Sequence, residues 1–174
     1  KKRKKGGNSS RKPNSELSRV IENGPDDGSV PESLIQVGRQ CQQIMMMYTC
    51  AIREVRTKLE VLNDELSIRN QRNPIEMIKA RVKKPESIVE KLHRRGFPIT
   101  LESVVNNLDD VAGIRVICSF VDDIYEVADM LIRQDDVHVI AIKDYIKNPK
   151  ENGYRSYHMI IEVPVFFSDR KKNM

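Results

Sequence analysis

The chain is poor in the residues that announce most kinds of chemistry. It has three cysteines, Cys41, Cys50 and Cys118, in no metal-binding spacing, and any disulfide scheme leaves one over. That excludes a cysteine-based zinc module and a disulfide framework, and implies free thiols in a reducing compartment, the cytoplasm. There are three histidines, His93, His138 and His158, and only His158 has polar neighbours suited to a site. No Ser-His-Asp constellation is suggested. Neither G-x-x-x-x-G-K-[ST] nor G-x-G-x-x-G occurs, so no glycine loop of those kinds cradles phosphate. The longest apolar run, Ile44–Ile52, is interrupted by Thr49 and is too short to span a bilayer. No apolar segment follows the basic start, so neither a secretory signal nor a membrane partner is expected.

What is present suits one domain with a real core. The chain has 174 residues, 39% hydrophobic and 32% charged, with a net charge of +5. Lys1, Lys2, Arg3, Lys4, Lys5, Arg11 and Lys12 supply seven positive charges before any acidic residue. Removing those seven from +5 leaves the rest at −2, which argues against RNA as a partner of the folded body. The KKRKK run reads as a solvated tail or as an electrostatic anchor. Residues 1–33 are rich in Gly, Asn, Ser, Pro and charge and read as a disordered basic and polar tail. A start at Lys1 rather than Met, and an end in DRKKNM directly after a strand, lead to the expectation of an incomplete chain.

From residue 34 the pattern becomes regular. Val37, Cys41, Ile44, Tyr48, Ile52, Val55, Leu59, Leu62 and Leu66 recur at steps of three and four, the stripe of a helix of about eight turns. Met45–Met47 reads as core filling beside it. Asn73-Pro74 breaks the pattern. IEMIKARVKKP follows, with Arg81, Lys83 and Lys84 clustered before a helix over Pro85–Arg95, whose apolar side is Ile88, Val89 and Leu92. Pro85 suits its first position and Gly96 its C′ position. Thr100 caps a short helix carrying Leu101, Val104, Val105 and Leu108. A strand is expected over Ile114–Phe120, then a helix over Ile124–Arg133 capped by Asp122 or Asp123. Strands over Val137–Tyr145 and Arg155–Phe167 have a short connection and should pair antiparallel. The sum is an α/β sandwich with a mixed sheet flanked by helices.

Three polar clusters stand out. Asp110 precedes a strand that carries Arg115; a carboxylate there can hold Mg²⁺, and the Arg can stack on a base or meet phosphate. A helix-end acidic pair and an edge-strand Arg are the plainer account. Arg81 and Lys83 form the second cluster. The third is the loop from Lys147 through Lys150, Asn152, Tyr154 and Arg155 to His158. Its cations suit phosphate, Asn152 a base edge and Tyr154 a base face, although a polar hairpin would look similar. Discrete Lys and Arg side chains with a carboxylate-held metal meet the needs of phosphoryl or pyrophosphoryl transfer.

ARVKKPESIVEKL, DDVAGIRVICSFVDDI and KDYIKNPKENGYRSYHMIIEVPV resemble the synthetase domain of RelA/SpoT-type alarmone synthetases. The chain is most similar to the small, single-domain members, over about Leu34 to Phe167. The resemblance implies a nucleotidyltransferase-like fold and a GTP pyrophosphokinase of the stringent response. It would transfer pyrophosphate from ATP to the 3′-hydroxyl of GDP or GTP, giving (p)ppGpp. By position, Arg81 and Arg115 match the arginines that sandwich adenine. Lys83, Lys91 and Arg94 match contacts to ATP phosphates, with Ser87 nearby. Asp110 matches the catalytic Mg²⁺ ligand, Tyr154 the tyrosine stacked on guanine, and Lys150, Asn152 and His158 the acceptor-nucleotide pocket. Small members assemble as homo-oligomers, often tetramers, and the long first helix suits such packing.

One departure qualifies the expected activity. The family continues into a strand reading approximately E-x-Q-x-R-T, whose Glu activates the 3′-hydroxyl. No such motif occurs through Met174, and Glu162 does not match it. The synthetase domain over 34–174 is therefore expected to be incomplete, and this polypeptide to bind nucleotide without turning it over. A catalytically silent nucleotide-binding or assembly module of the same fold is the alternative, and a basic-tailed RNA-binding protein the third.

Overall fold

The computed structural model describes residues 32–174, without the side chains of Ser33, Leu34 and Val37. The expected tail over 1–33 lies almost wholly outside the described residues. The chain forms two compact units, Lys1–Gln40 and Cys41–Met174. Of the first, the structure describes the opening turns of helix α1, where every described side chain is exposed.

The elements in order are α1 (Glu32–Asn70), β1 (Ile75–Val82), α2 (Pro85–Arg95), α3 (Leu101–Asn107), β2 (Ala112–Cys118), α4 (Val121–Ile132), β3 (His138–Asp144), β4 (Tyr157–Glu162), β5 (Pro164–Phe166) and β6 (Lys171–Asn173). Helix α1 stops where Gln71 turns left-handed, at φ 54°, just before Asn73-Pro74. Its buried side in the second unit is Ile44, Met47, Ala51, Val55, Leu59, Leu62 and Leu66. The expected stripe is thus rotated in its first half: Met47 and Ala51 go inside, while Tyr48 and Ile52 are half-buried.

That helix is a spine with two cores on it. Ile44 and Met47 pack with Ile88 and Leu92 of α2, and with Val104, Leu108 and Val111. From Ala51 to Leu66 the same helix packs with Ile75, with Val127 and Leu131 of α4, and with Val137, Val163 and Val165. Each fully buried Leu, such as Leu66 or Leu92, contributes about 1.5–3 kcal/mol of transfer free energy.

Local signals explain the short helices. Pro85 stands at the start of α2, and Gly96 closes it with φ 74°, donating its N–H to His93 O. The Thr100 hydroxyl oxygen accepts the Ser103 N–H at 3.1 Å and caps α3. Helix α4 begins earlier than expected, at Val121, and neither Asp122 nor Asp123 is its N-cap. Asp123 sits one turn in, accepts the Phe120 N–H at 3.2 Å, and is gripped by both Arg72 terminal nitrogens at 2.6 and 2.7 Å. It is 1% exposed, a burial that only this bidentate pairing makes tolerable.

The α/β class is as expected, with the strands in antiparallel pairs rather than one mixed sheet: β1 with β2, β3 with β4, β5 with β6. Strand β1 is an element the sequence pattern does not announce. Its charged residues and a bulge between Ile75 and Met77 blur the alternation, and its register with β2 supplies the order. The single strand expected over Arg155–Phe167 is two. Val163 exchanges both backbone hydrogen bonds with Met174 at 2.9 Å, and Pro164 has no N–H to continue the β3 ladder.

Candidate functional site

The open face of the β1–β2 ladder is set by register. Lys79 lies opposite Arg115, and Arg81 opposite Gly113. Arg81, Lys79 and Arg115 therefore project from one face, and all three are exposed. Arg81 and Arg115 are diagonal neighbours, about 7 Å apart, room for a flat ring with a guanidinium on either side. Gly113 opposite Arg81 has nothing within 4 Å of where a Cβ would stand, so the space there is open.

Beside this face the chain turns into α2. Lys83 follows β1, and its N–H donates to Val111 O at 2.7 Å, which ties the end of β1 to the start of β2. The Lys83 and Lys91 ammoniums both reach Asp110, at 2.7 and 2.6 Å, one on each carboxylate oxygen. The two lysines are largely covered and the Asp110 side chain is 51% exposed. Burial pushes the Asp110 carboxyl up, but hydrogen bonds from Lys83 and Lys91 and their charges together outweigh it, leaving it below the usual carboxylate range. Asp110 is thus ionised at neutral pH. Ser87 and Arg94 share the Lys91 side of α2 at helical spacing, both exposed. They extend the basic face without touching Asp110.

Among the described residues no three His, Cys, Asp or Glu side chains converge as a metal site. A metal here would rest on Asp110 and on phosphate oxygens brought by a ligand. An ionised, half-exposed carboxylate fits Mg²⁺, which keeps several waters and is commonly held by one or two carboxylates plus phosphate.

The third cluster is aromatic. The chain leaves β3 through a loop and re-enters at β4, with Lys143 opposite His158. Gly153, at φ 77°, lets the turn close, its N–H donating to Lys150 O at 2.8 Å. Asn152 Oδ1 accepts the Tyr154 N–H at 3.2 Å, so its oxygen holds the loop and its amide nitrogen is left for a ligand. The Tyr154 hydroxyl and His158 Nε2 are 2.9 Å apart. The rings of Tyr145, Tyr154 and His158 meet edge to face, and the Lys150 ammonium lies 4.7 Å from the Tyr145 centroid and 5.4 Å from that of Tyr154. Burial lowers the His158 pKa from its usual value, and the charges of Lys150, Lys143 and Arg115 lower it further. Neutral His158 can accept the Tyr154 O–H.

Two residues of this cluster escape a reading of the sequence. Tyr145 reads as the end of a strand, and Lys143 opens the KDYI motif without a role of its own. Only the β3–β4 register, by setting Lys143 opposite His158, gives the latter away. A cleft of about 570 Å³ opens elsewhere, between Ile44, Met47, Leu101, Val105, Arg170 and Lys172, and includes none of the expected site residues.

Residues 80–174 match the family described as a region found in RelA / SpoT proteins. The chain is 44% identical over 126 residues to GTP pyrophosphokinase YwaC of Bacillus subtilis, covering 72% of this chain and 60% of that protein. The chain therefore spans about three fifths of that relative's length. The structure is similar to small alarmone synthetase 2 from B. subtilis, with a TM-score of 0.66 and 41% identity over 76% of this chain and 66% of that one. It is likewise similar to small alarmone synthetase 1 from B. subtilis bound to its product pppGpp, with a TM-score of 0.68 and 34% identity over 78% and 69%. With more than half of its length matched and with ARVK, D-x-A-G-x-R and GYRSYH grouped as described, this chain belongs to the RelA/SpoT family.

Proposed function

We propose that the chain forms most of a GTP pyrophosphokinase, which moves the terminal pyrophosphoryl group of ATP to the 3′-hydroxyl of GDP or GTP, leaving AMP. The observation that carries this reading is Asp110 clasped by Lys83 and Lys91 beside a two-arginine sheet face, with the Tyr154–His158 pair as a second, aromatic cluster. Such a layout supplies separate places for a triphosphate and for a second nucleotide. Named activities of the relatives, and the pppGpp in one of them, support the same assignment.

In this reading Arg81 and Arg115 hold the adenine between them. Lys83, Lys91 and Arg94 take the donor phosphates, with Ser87 as a hydroxyl donor at the start of α2. Arrival of a triphosphate gives the two ammoniums new anionic partners and frees Asp110. Asp110 would then hold Mg²⁺, which when bound offsets phosphate charge and stabilises the developing negative charge of the leaving group. Tyr154 stacks the guanine, the Asn152 amide meets its edge, and Lys150 leaves the tyrosine rings for phosphate. His158 stays neutral until a phosphate offsets the surrounding cations. Catalysis on such a scaffold is positioning and charge stabilisation. The proposal includes a cytoplasmic location, supported by free Cys41, Cys50 and Cys118. It also includes a homo-oligomer, supported by Val61 and Ile68, exposed seven residues apart on α1. Among the described residues no helix is long and apolar enough to cross a membrane.

The test is chromatographic detection of product from the full-length protein with ATP labelled in its β-phosphate and unlabelled GDP or GTP. Label should appear in a guanosine nucleotide carrying a 3′-pyrophosphate, in step with unlabelled AMP, and Asp110→Asn should remove it. Label only in ADP would overturn the assignment.

A further inference from the structure

The acceptor loop hangs on a residue assigned no role above. Asp144 is the last residue of β3 and lies on the face of the β3–β4 ladder opposite to Lys143 and His158. Its Oδ1 accepts the N–H groups of Ile146 and Lys147, each at 2.9 Å. Its Oδ2 accepts the Tyr125 O–H at 3.0 Å. Tyr125 belongs to α4, and its ring meets that of Tyr157, the cross-strand partner of Asp144, edge to face at 5.5 Å. The Lys147 ammonium closes the group, 5.2 Å from the Tyr125 centroid.

The two oxygens of one carboxylate thus do different things. One ends the strand by taking two successive backbone donors, the way short acidic side chains build turns. The other is tied to a helix that packs into the core through Val127 and Leu131. The turn in between sets where Tyr145 and Lys150 go. The Tyr145 N–H donates to Ser156 O at 2.9 Å, and its ring carries the contacts to Tyr154, His158 and Lys150.

We infer that Asp144, braced by Tyr125, is a positioning residue that presets the acceptor loop for a guanine nucleotide. The inference rests on the assignment of Tyr154 and its neighbours to the acceptor. It is specific to that side: the Lys83–Asp110–Lys91 group draws on β1, α2 and the start of β2, and shares no hydrogen bond with the Asp144 turn.

The experiment is calorimetric titration of the full-length protein with GDP and, separately, with a non-hydrolysable ATP analogue. Amide exchange at Ile146 and Lys147 is followed in the same samples. Tyr125→Phe removes one hydroxyl and should weaken GDP about threefold, and Asp144→Ala about tenfold. Asp144→Asn keeps an oxygen for the two amides and should fall between the parent and Asp144→Ala. ATP-analogue affinity should stay within about twofold, and exchange at Ile146 and Lys147 should quicken in the order Asn, then Ala. Unchanged GDP affinity in Tyr125→Phe, or an equal loss for both nucleotides, would overturn the inference while leaving the functional assignment intact. A parent protein that binds the ATP analogue but no guanine nucleotide would overturn both. Should Asp144→Ala fail to fold, Tyr125→Phe alone decides.

Discussion

The two halves of the site solve the same electrostatic problem in opposite ways. On the side of α2 two cations are partly neutralised in advance: Lys83 and Lys91 share the one carboxylate of Asp110. On the side of the β3–β4 loop, Lys143 and Lys150 have no ion-pair carboxylate among the described residues, and only Lys147 approaches one, its ammonium 3.9 Å from Asp144 Oδ2. Lys150 rests on tyrosine faces, and the charges of Lys150, Lys143 and Arg115 add to burial in lowering the His158 pKa. A ligand on the first side must exchange ion pairs, so a cation that can replace the ammoniums at Asp110 should matter there. On the second side a ligand must lift a lysine from a ring and put a base in its place, so flat shape and negative charge should matter and metal much less. The first arrangement costs about what a charged pair is worth, the second only a cation–π contact.

The strongest way to break this contrast is Asp110→Asn. It removes the charge proposed to hold a metal and leaves Lys83 and Lys91 without their anion. ATP-analogue affinity measured with Mg²⁺ should fall by about 3 kcal/mol, on the order of a hundredfold, and the gain from adding Mg²⁺ should vanish. GDP affinity should change little. Equal losses for the two nucleotides would mean that the halves are not separate.

Tyr154→Ala is the reverse experiment. Loss of a base stack costs about 1–3 kcal/mol, to be seen in GDP or GTP titrations and not in those with the ATP analogue. Equal GDP affinity in mutant and parent would remove Tyr154 from the acceptor site.

Smaller effects should sharpen the donor side. Arg81→Ala and Arg115→Ala should each weaken the ATP analogue by about 1 kcal/mol, and the double mutant by clearly less than their sum, because two guanidiniums clamp one ring. Additive losses would make them independent phosphate contacts.

The smallest effect is a pH dependence. The His158 pKa is lower folded than unfolded, where it is near 6.5. Above 6.5 the imidazole is neutral in both states and contributes nothing to the slope. As pH falls below 6.5 the unfolded chain takes up the proton first, and stability drops until the folded pKa is passed. The lowered carboxyls of Asp110, Asp123, Asp136 and Asp144 act in a separate window, below 3.8. Urea midpoints between pH 7.5 and 5.5 should therefore fall less in His158→Gln than in the parent. Parallel curves would place His158 outside the influence of the lysines.

Much of this was legible before any fold was known, where the signal is local. A helix stripe needs only its own residues, and so do Pro85 at a helix start, Gly96 with its left-handed φ of 74° and the Thr100 hydroxyl three residues from its partner amide. The β3–β4 pair followed from a short connection. ARVK, D-x-A-G-x-R and GYRSYH, by resemblance, named candidate side chains by position, including three that the fold joins into one ion-paired group, Lys83, Lys91 and Asp110.

Local pattern could not supply partners distant in the chain. Lys83 finds Asp110 across 27 residues, Arg72 finds Asp123 across 51, and Tyr125 finds Asp144 across 19. For that reason Asp123 looked like a helix cap when it is a buried ion-pair partner, and the stretch that forms β1 was assigned no element until β2 lay beside it. Tyr145, Lys143 and the Asp144 brace were invisible because a strand's register decides which residues share a face, and a shift of one residue would have reversed them all. Composition and spacing determined the helices, and the resemblance of three motifs determined the family and most of the candidate residues. Which of them meet, which stay charged, and which hold the others in place was decided only by the tertiary structure, since ion pairing, burial and cross-strand register are properties of neighbours in space.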